Sequence, residues 1–211
     1  MVEIILVRHG ETDFNASEKF RGRVDVPLND TGLRQAELLG EHLRDEKIDV
    51  VYSGPLRRAL ATAEAVAAPH RLAVNVVHNL NDIDCGKWQG LTVAAVKEKY
   101  PELYQDWLDS PGRVRLPGGE SLEDVRSRVV PFTQDAVTRC GEGRIVLVSH
   151  RVVHKVLICA LLGLGNNSFW SFKLDTGGIT RFSCDGGRVV LTAHNDTGYL
   201  RPLRSLPPAD F

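Results

Sequence analysis

The chain has 211 residues, 43% hydrophobic and 25% charged, which suits one large globular unit with its own core rather than two independent ones. A formal net charge of -1 gives no overall attraction to nucleic acid or to an anionic membrane, so any preference for anions must come from a local cluster. No run of about 20 apolar residues and no signal-peptide pattern occurs, and the four scattered cysteines form no C-x-x-C pair. The expectation is a cytoplasmic protein with reduced thiols, mostly buried, and no spanning helix.

In chain order, "EIILVRH" (3–9) is a continuous apolar run of the kind that forms a strand covered on both faces. "LNDTGLRQAELLGEHL" (28–43) has helical apolar spacing behind cap candidates Asp30 and Thr31. "IDVVYSG" (48–54) predicts a second buried strand. "PLRRALATAEAVAA" (55–68) predicts a helix opened by Pro55, and "LAVNVV" (72–77) a third strand. Residues 79–121 are broken by glycine and proline, hold one helix near 92–108, and read as a small cap segment over the sheet. Ser121 and Asp124 form a capping box that opens a helix over 121–137. "RIVLVSH" (144–150) is again a strand, followed by a helix over 151–163 closed by Gly163. "GITRFSC" and "RVVLTAH" around "DGG" (185–187) predict a hairpin. The pattern is α/β, with a mainly parallel central sheet flanked by helices in one domain, 1–211.

Two of these strands end in histidine, at "IILVRHG" and "IVLVSHR". A lone strand-end histidine is more often a structural group. Here Arg8 precedes His9, Thr12 and Asn15 follow as short polar side chains, and Arg57 and Arg58 open the helix after another strand end. Ligands of open α/β sheets bind beyond the carboxyl ends of the strands. Several cations and helix N-termini converging there suit a tetrahedral anion such as phosphate.

"LVRHGETDFN", "YSGPLRRALATA", "GKWQG", "PGGES" and "LVSH", in this order along nearly the whole chain, resemble the histidine phosphatase superfamily, or phosphoglycerate-mutase-like family. "EKYPELYQDWLDSPGRVRLPGGESL" and "FWSF" are most similar to its small-phosphatase branch, which includes metal-independent phosphoserine and ribazole phosphatases. The resemblance implies His9 as nucleophile, with Arg8, Arg58 and His150 clamping phosphate and Asn15 in support. It also implies an acid–base carboxylate at Asp82, where the family commonly has Glu. Lys19 stands where arginine is usual, Arg21 where glutamine is usual, and Arg151 where glycine is usual.

Arg8, Arg58 and a protonated His150 would hold the phosphoryl oxygens, and no metal or other cofactor is implied. The substrate-facing set is expected to comprise Thr12, Asn15, Arg21, Gly22, Arg151 and, from the last strand, His194. Asp82 also reads as a solvated loop acid or a helix cap, and Asp84 competes with it in "NDID". Lys19, Arg21 and Arg23 with "RVR" (113–115) either line the pocket, favouring a carboxylated or polyanionic substrate, or form a solvated basic loop. His150 and His154 make an H-x-x-x-H pair, but a strand end and a helix do not share a face. Trp88, Trp107 and Trp170 read as packing residues, and His42, His70 and His78 as surface residues. The expected partner is a small phosphorylated metabolite, not nucleic acid or membrane, and a homodimer is left open. A phosphoglycerate mutase and a non-catalytic phospho-ligand binder are the alternatives to a phosphomonoesterase.

Overall fold

The computed structural model describes residues 1–17 and 19–203. Six strands, β1 (Val2–Arg8), β2 (Val50–Ser53), β3 (Val74–Val76), β4 (Gly143–Ser149), β5 (Ile179–Asp185) and β6 (Arg188–Asp196), form one sheet in the order β3-β2-β4-β1-β5-β6. The first four of that order run parallel, and the terminal hairpin β5–β6 adds antiparallel to β1. The helices are α1 (Asp13–Ala16), α2 (Asp30–Leu43), α3 (Arg57–Ala67), α4 (Val93–Lys99), α5 (Pro101–Asp109), α6 (Leu122–Cys140) and α7 (Arg151–Leu161).

The strand side chains alternate between two cores, as the period of two requires. Ile4, Leu6, Ile145 and Leu147 join α6, α7 and the segment after β3 on one face, while Ile5, Val7, Val146 and Val148 join α2 and α3 on the other. Burial on both faces accounts for the unbroken apolar runs of β1 and β4.

Several boundaries differ from the sequence expectation for identifiable reasons. Asn29, not Asp30 or Thr31, caps α2, its side-chain oxygen accepting from Gly32 N–H at 2.9 Å. Pro55 lies ahead of α3, which begins only at Arg57. The helix expected over 92–108 is two, because a residue before proline is pushed out of the α region: Tyr100 has φ -136° and ψ 56° ahead of Pro101. The third strand shrinks to three residues at the sheet edge. Residues 79–121 do more than cover the sheet: Leu80, Trp88, Val96, Trp107 and Leu116 are part of the α6–α7 core. Of the tryptophans, Trp88 and Trp107 are buried and Trp170 is partly exposed. All four thiols are free, Cys85 and Cys159 buried and Cys140 and Cys184 half-buried. No helix among the described residues is long and apolar enough to cross a membrane.

Candidate active site

The register of two adjacent strands builds the centre of the site. β1 and β4 are parallel neighbours with Arg8 opposite Ser149, so His9 and His150 follow side by side at the same sheet edge. His9 N–H donates to Ser149 O at 3.0 Å, and the two ring centroids are 5.1 Å apart. Both residues are buried. His9 Nδ1 lies 2.7 Å from Gly10 O. A carbonyl only accepts, so Nδ1 carries the proton and Nε2 keeps its lone pair. Nε2 has no partner among the described residues. Burial, then the neighbouring His150 ring and the charges of Arg58, Arg21 and Arg8, hold His9 well below the ordinary imidazole pKa, so it is neutral.

Arg58 comes from the first turn of α3 and is fully buried. It donates to Val24 O, Gly22 O and Asp82 Oδ2 at 2.8, 2.9 and 3.0 Å, leaving Nε without a partner among the described residues. Gly22 serves this contact by exposing its carbonyl from a backbone of φ +50°, where a Cβ would come within 2.6 Å of Gln89 Oε1. Thr62 Oγ1 accepts from Gly10 N–H and donates to Arg58 O, tying the turn after β1 to α3. Arg57, its neighbour, turns outward onto Asp25, with Nε 3.1 Å from Oδ2, and does not join the cluster.

Asp82 faces His150 and Arg58, with Oδ2 3.5 Å from His150 Nδ1. Its Oδ1 accepts from Ile83 N–H, while Arg23 and Arg128 hold its backbone carbonyl. Asp84 Oδ1 instead accepts from Gly86 N–H within its own loop, so Asp82 is the carboxylate the fold brings to the histidines. Burial pushes the Asp82 carboxyl up, but His150, Arg58, Arg21 and the Ile83 N–H outweigh it and hold it below the usual range. Burial, reinforced by Arg58, His154 and Arg21 against the opposing pull of Asp82, keeps His150 well below its ordinary value. The protein's own groups therefore favour neutral His150 and ionised Asp82.

A cleft of about 550 Å³ opens over this corner. Arg8, Asn15, Lys19, Arg21, Gly22, Asp82 and Arg151 line it, with Trp107, Leu116 and Phe20 supplying apolar wall. Thr12 is buried behind the cleft: both its N–H and its hydroxyl bond Asn15 Oδ1, which leaves Nδ2 of that amide for a ligand. His194 is absent from the lining, its ring edge-on to Phe172 and its Nδ1 3.3 Å from Thr180 Oγ1, because β6 lies at the far edge of the sheet. Arg23 binds Glu120 and Arg115 binds Asp124, so neither enters the cleft. Glu11, within the first motif but not singled out in it, also lines the wall, as do Asp175 and Thr176, which no motif marked because chain topology alone brings the 175–176 turn beside Arg8. His42 and His78 are exposed, and His70 is half-buried. Among the described residues no group of three or more His, Cys, Asp or Glu gathers to hold a metal.

This corner, a neutral histidine ringed by guanidinium groups at the end of a parallel sheet, defines a class of phosphoryl-handling proteins, and comparison with known proteins agrees. The sequence profile of the histidine phosphatase superfamily (branch 1) matches residues 4–197, and the chain belongs to that family. It is a phosphoric monoester hydrolase. Phosphoserine phosphatase 1 of Hydrogenobacter thermophilus is 38% identical over 200 residues, 95% of each chain. Among solved structures, a mutant phosphoserine phosphatase from Entamoeba histolytica in complex with phosphoserine superposes with TM-score 0.87 at 30% identity, over 95% of this chain and all of that one. A mycobacterial glucosyl-3-phosphoglycerate phosphatase superposes equally well, TM-score 0.87 at 28% identity, over 92% of this chain and 99% of the other.

Proposed function

We propose that this phosphatase hydrolyses a small-metabolite phosphomonoester through a phosphohistidine on His9, without a metal. The observation that supports it best is the His9 imidazole itself, with Nδ1 committed to Gly10 O and a buried, unpartnered, neutral Nε2 beside Arg8 and Arg58. In the first step Nε2 attacks phosphorus in line, the N–P bond forms and the P–O ester bond breaks. Negative charge on the equatorial oxygens falls beside Arg8, Arg58 and His150, with Asn15 in reach. In the second step water attacks the phosphohistidine, releasing phosphate and restoring His9.

The leaving alkoxide needs a proton, and Asp82 is the carboxyl nearest His150. Against Arg58 it is ionised. A bound phosphate dianion supplies like charge beside it and competes for Arg58, and both effects raise its proton affinity. The same dianion favours imidazolium at His150. Substrate binding thus turns Asp82 into a donor and His150 into a cation. Asp82 then acts as base for the water.

Brief mixing with a labelled phosphomonoester, followed by an alkaline quench, is expected to trap an acid-labile phosphoenzyme on His9, absent in His9→Ala. Turnover is expected to survive a chelator. Label on another side chain, or activity that a chelator removes and magnesium or zinc restores, would overturn the reading.

A further inference from the structure

Asp82 stands on backbone that no secondary structure holds. Residues 81–85 belong to neither helix nor strand, so their peptide groups have no ladder partners and must find others. An aspartate is also short. It cannot reach after a loop that shifts, so the place of its carboxylate follows the place of its backbone.

That backbone is gripped from two sides. On the inner side Leu80 O accepts from Ser149 Oγ at 2.7 Å, beside His150. On the outer side three charged side chains converge. Arg128, on helix α6 whose Val125 and Val129 are buried in the core, donates to Asn79 O at 2.6 Å and to Asp82 O at 3.2 Å. Asn79 Nδ2 donates back to Arg128 O at 3.1 Å. Arg23 Nε donates to the same Asp82 carbonyl at 3.3 Å. Glu120 holds both backbone groups of Asp84: its carboxylate accepts from Asp84 N–H and its own N–H donates to Asp84 O, each at 2.9 Å. Glu120 also binds Arg23 Nη2 at 3.0 Å and Arg128 Nη2 at 3.3 Å, which joins the three into one clasp. The contacts fall at positions 79, 82 and 84 and so bracket one residue. Arg23 and Arg128 line a separate cavity of about 290 Å³, and neither they nor Glu120 line the cleft over His9.

We infer that Arg128, with Glu120 and Arg23, is a positioning residue for the reaction: the clasp fixes the Asp82 backbone so that its carboxyl meets the leaving oxygen, and none of the three touches substrate. The inference rests on the reading of Asp82 as proton donor. A displacement of about 1 Å at a reacting group can cost on the order of 100-fold. The phosphate corner, held by β1, β4 and α3, keeps its geometry without the clasp, so the loss falls on proton transfer.

The test compares phenyl phosphate with p-nitrophenyl phosphate in single-turnover phosphorylation of His9. The two esters have nearly the same shape but release phenolates of different basicity, and the more basic one depends more on a donated proton. Arg128→Gln is expected to slow phenyl phosphate by about 10- to 100-fold and p-nitrophenyl phosphate by less than about threefold, with steady-state KM for both within about twofold. Arg128→Lys, which keeps one charged donor, should recover part of the loss. Arg23→Gln, at an exposed position outside α6, should show the same leaving-group dependence at smaller size, and it carries the test if Arg128→Gln does not fold. In an Asp82→Asn background no proton is left to place, so Arg128→Gln should add less than about twofold. Equal effects on the two esters, or losses that multiply in the double variant, would overturn the inference. Asp82→Asn alone separates it from the reading beneath it. Leaving-group dependence there with none in Arg128→Gln removes the clasp and leaves Asp82 as donor, whereas no such dependence in Asp82→Asn removes both.

Discussion

The site has an inner half, mostly beneath the cleft, and an outer half that lines it, and the two are built on different principles. In the inner half, His9, Arg58, Asp82 and His150 are almost completely buried and are positioned by strand register and a dense hydrogen-bond net. In the outer half, Lys19, Arg21 and Arg151 come from a loop and a helix mouth; Lys19 lies over the Phe14 ring, and the guanidiniums of Arg21 and Arg151 have no hydrogen-bond or ion-pair partner among the described residues. A buried charge left unpaired is expensive, so the inner half tolerates almost no change without loss of both chemistry and stability. The outer half has room to vary which anion enters. Under the proposed function the chemistry sits where strand register and hydrogen bonds fix the side chains, the division expected when a scaffold carries functional loops.

The largest effect expected in the inner half comes from His9→Ala. With no nucleophile, kcat should fall by about 10,000-fold or more, while the folded structure persists, as judged by circular dichroism. Arg58→Ala is next. It strands Asp82 and should cost about 3–5 kcal/mol in urea unfolding together with nearly all activity, whereas Arg57→Ala, one residue away, removes only an exposed pair worth about 1 kcal/mol or less and should leave kcat within about twofold. Similar effects from the two substitutions would erase the contrast between inward and outward side chains.

Asp82→Asn keeps the shape and removes the titrating proton. In single turnover with an alkyl phosphate the loss should be about 100- to 10,000-fold, and clearly smaller with p-nitrophenyl phosphate, whose phenolate leaves unaided. Equal losses for both esters would remove Asp82 as proton donor and turn attention to Asp84.

A subtler effect concerns pH and stability. Burial, with Arg8 beside it, pushes the pKa of His154 down to about 3. The unfolded chain, with an ordinary imidazole, binds a proton below about pH 6.5 that the folded chain refuses. Stability is therefore full above that pH and falls as the solution is acidified toward the folded value. His154→Leu should flatten the fall by about 1.4 kcal/mol per pH unit between roughly pH 6 and 4, read from urea unfolding at several pH values. An unchanged slope would mean that this imidazole is not carried neutral into the fold. Gly22→Ala should have a smaller effect, about 1–2 kcal/mol, from a strained backbone that shifts the Arg58 acceptor, measured as a lower Tm with a matching loss of kcat.

Much of this site could be read in the chain, and the residues that could not share a reason. "LVRHG" and "VLVSH" announced two histidines at strand ends because a doubly covered parallel strand leaves an unbroken apolar run that stops where the polar edge begins. The cations around them implied an anion, and the motif order implied the family. Local sequence did not tell Arg57 from Arg58, because adjacent helix positions point about 100° apart and only the packing of α3 on the sheet selects the inward one. Nor did it tell whether Thr12 faces the ligand or Asn15, or whether His194 reaches the cleft, since these depend on how far a turn or an edge strand lies from β1. Proline at 101 did carry a readable signal for the break between α4 and α5.

What the amino-acid order determined alone was local: which segments become strands and helices, through apolar period and turn residues, and which chemistry-bearing side chains stand at their ends. What only the tertiary structure decided was the state of those side chains. The neutrality of His9 and His150 and the charge of Asp82 follow from burial and from groups that lie far apart in the sequence, such as Asp82 and His150. Desolvation and Coulomb terms depend on distance in space and on excluded water, and neither quantity exists until the chain has folded.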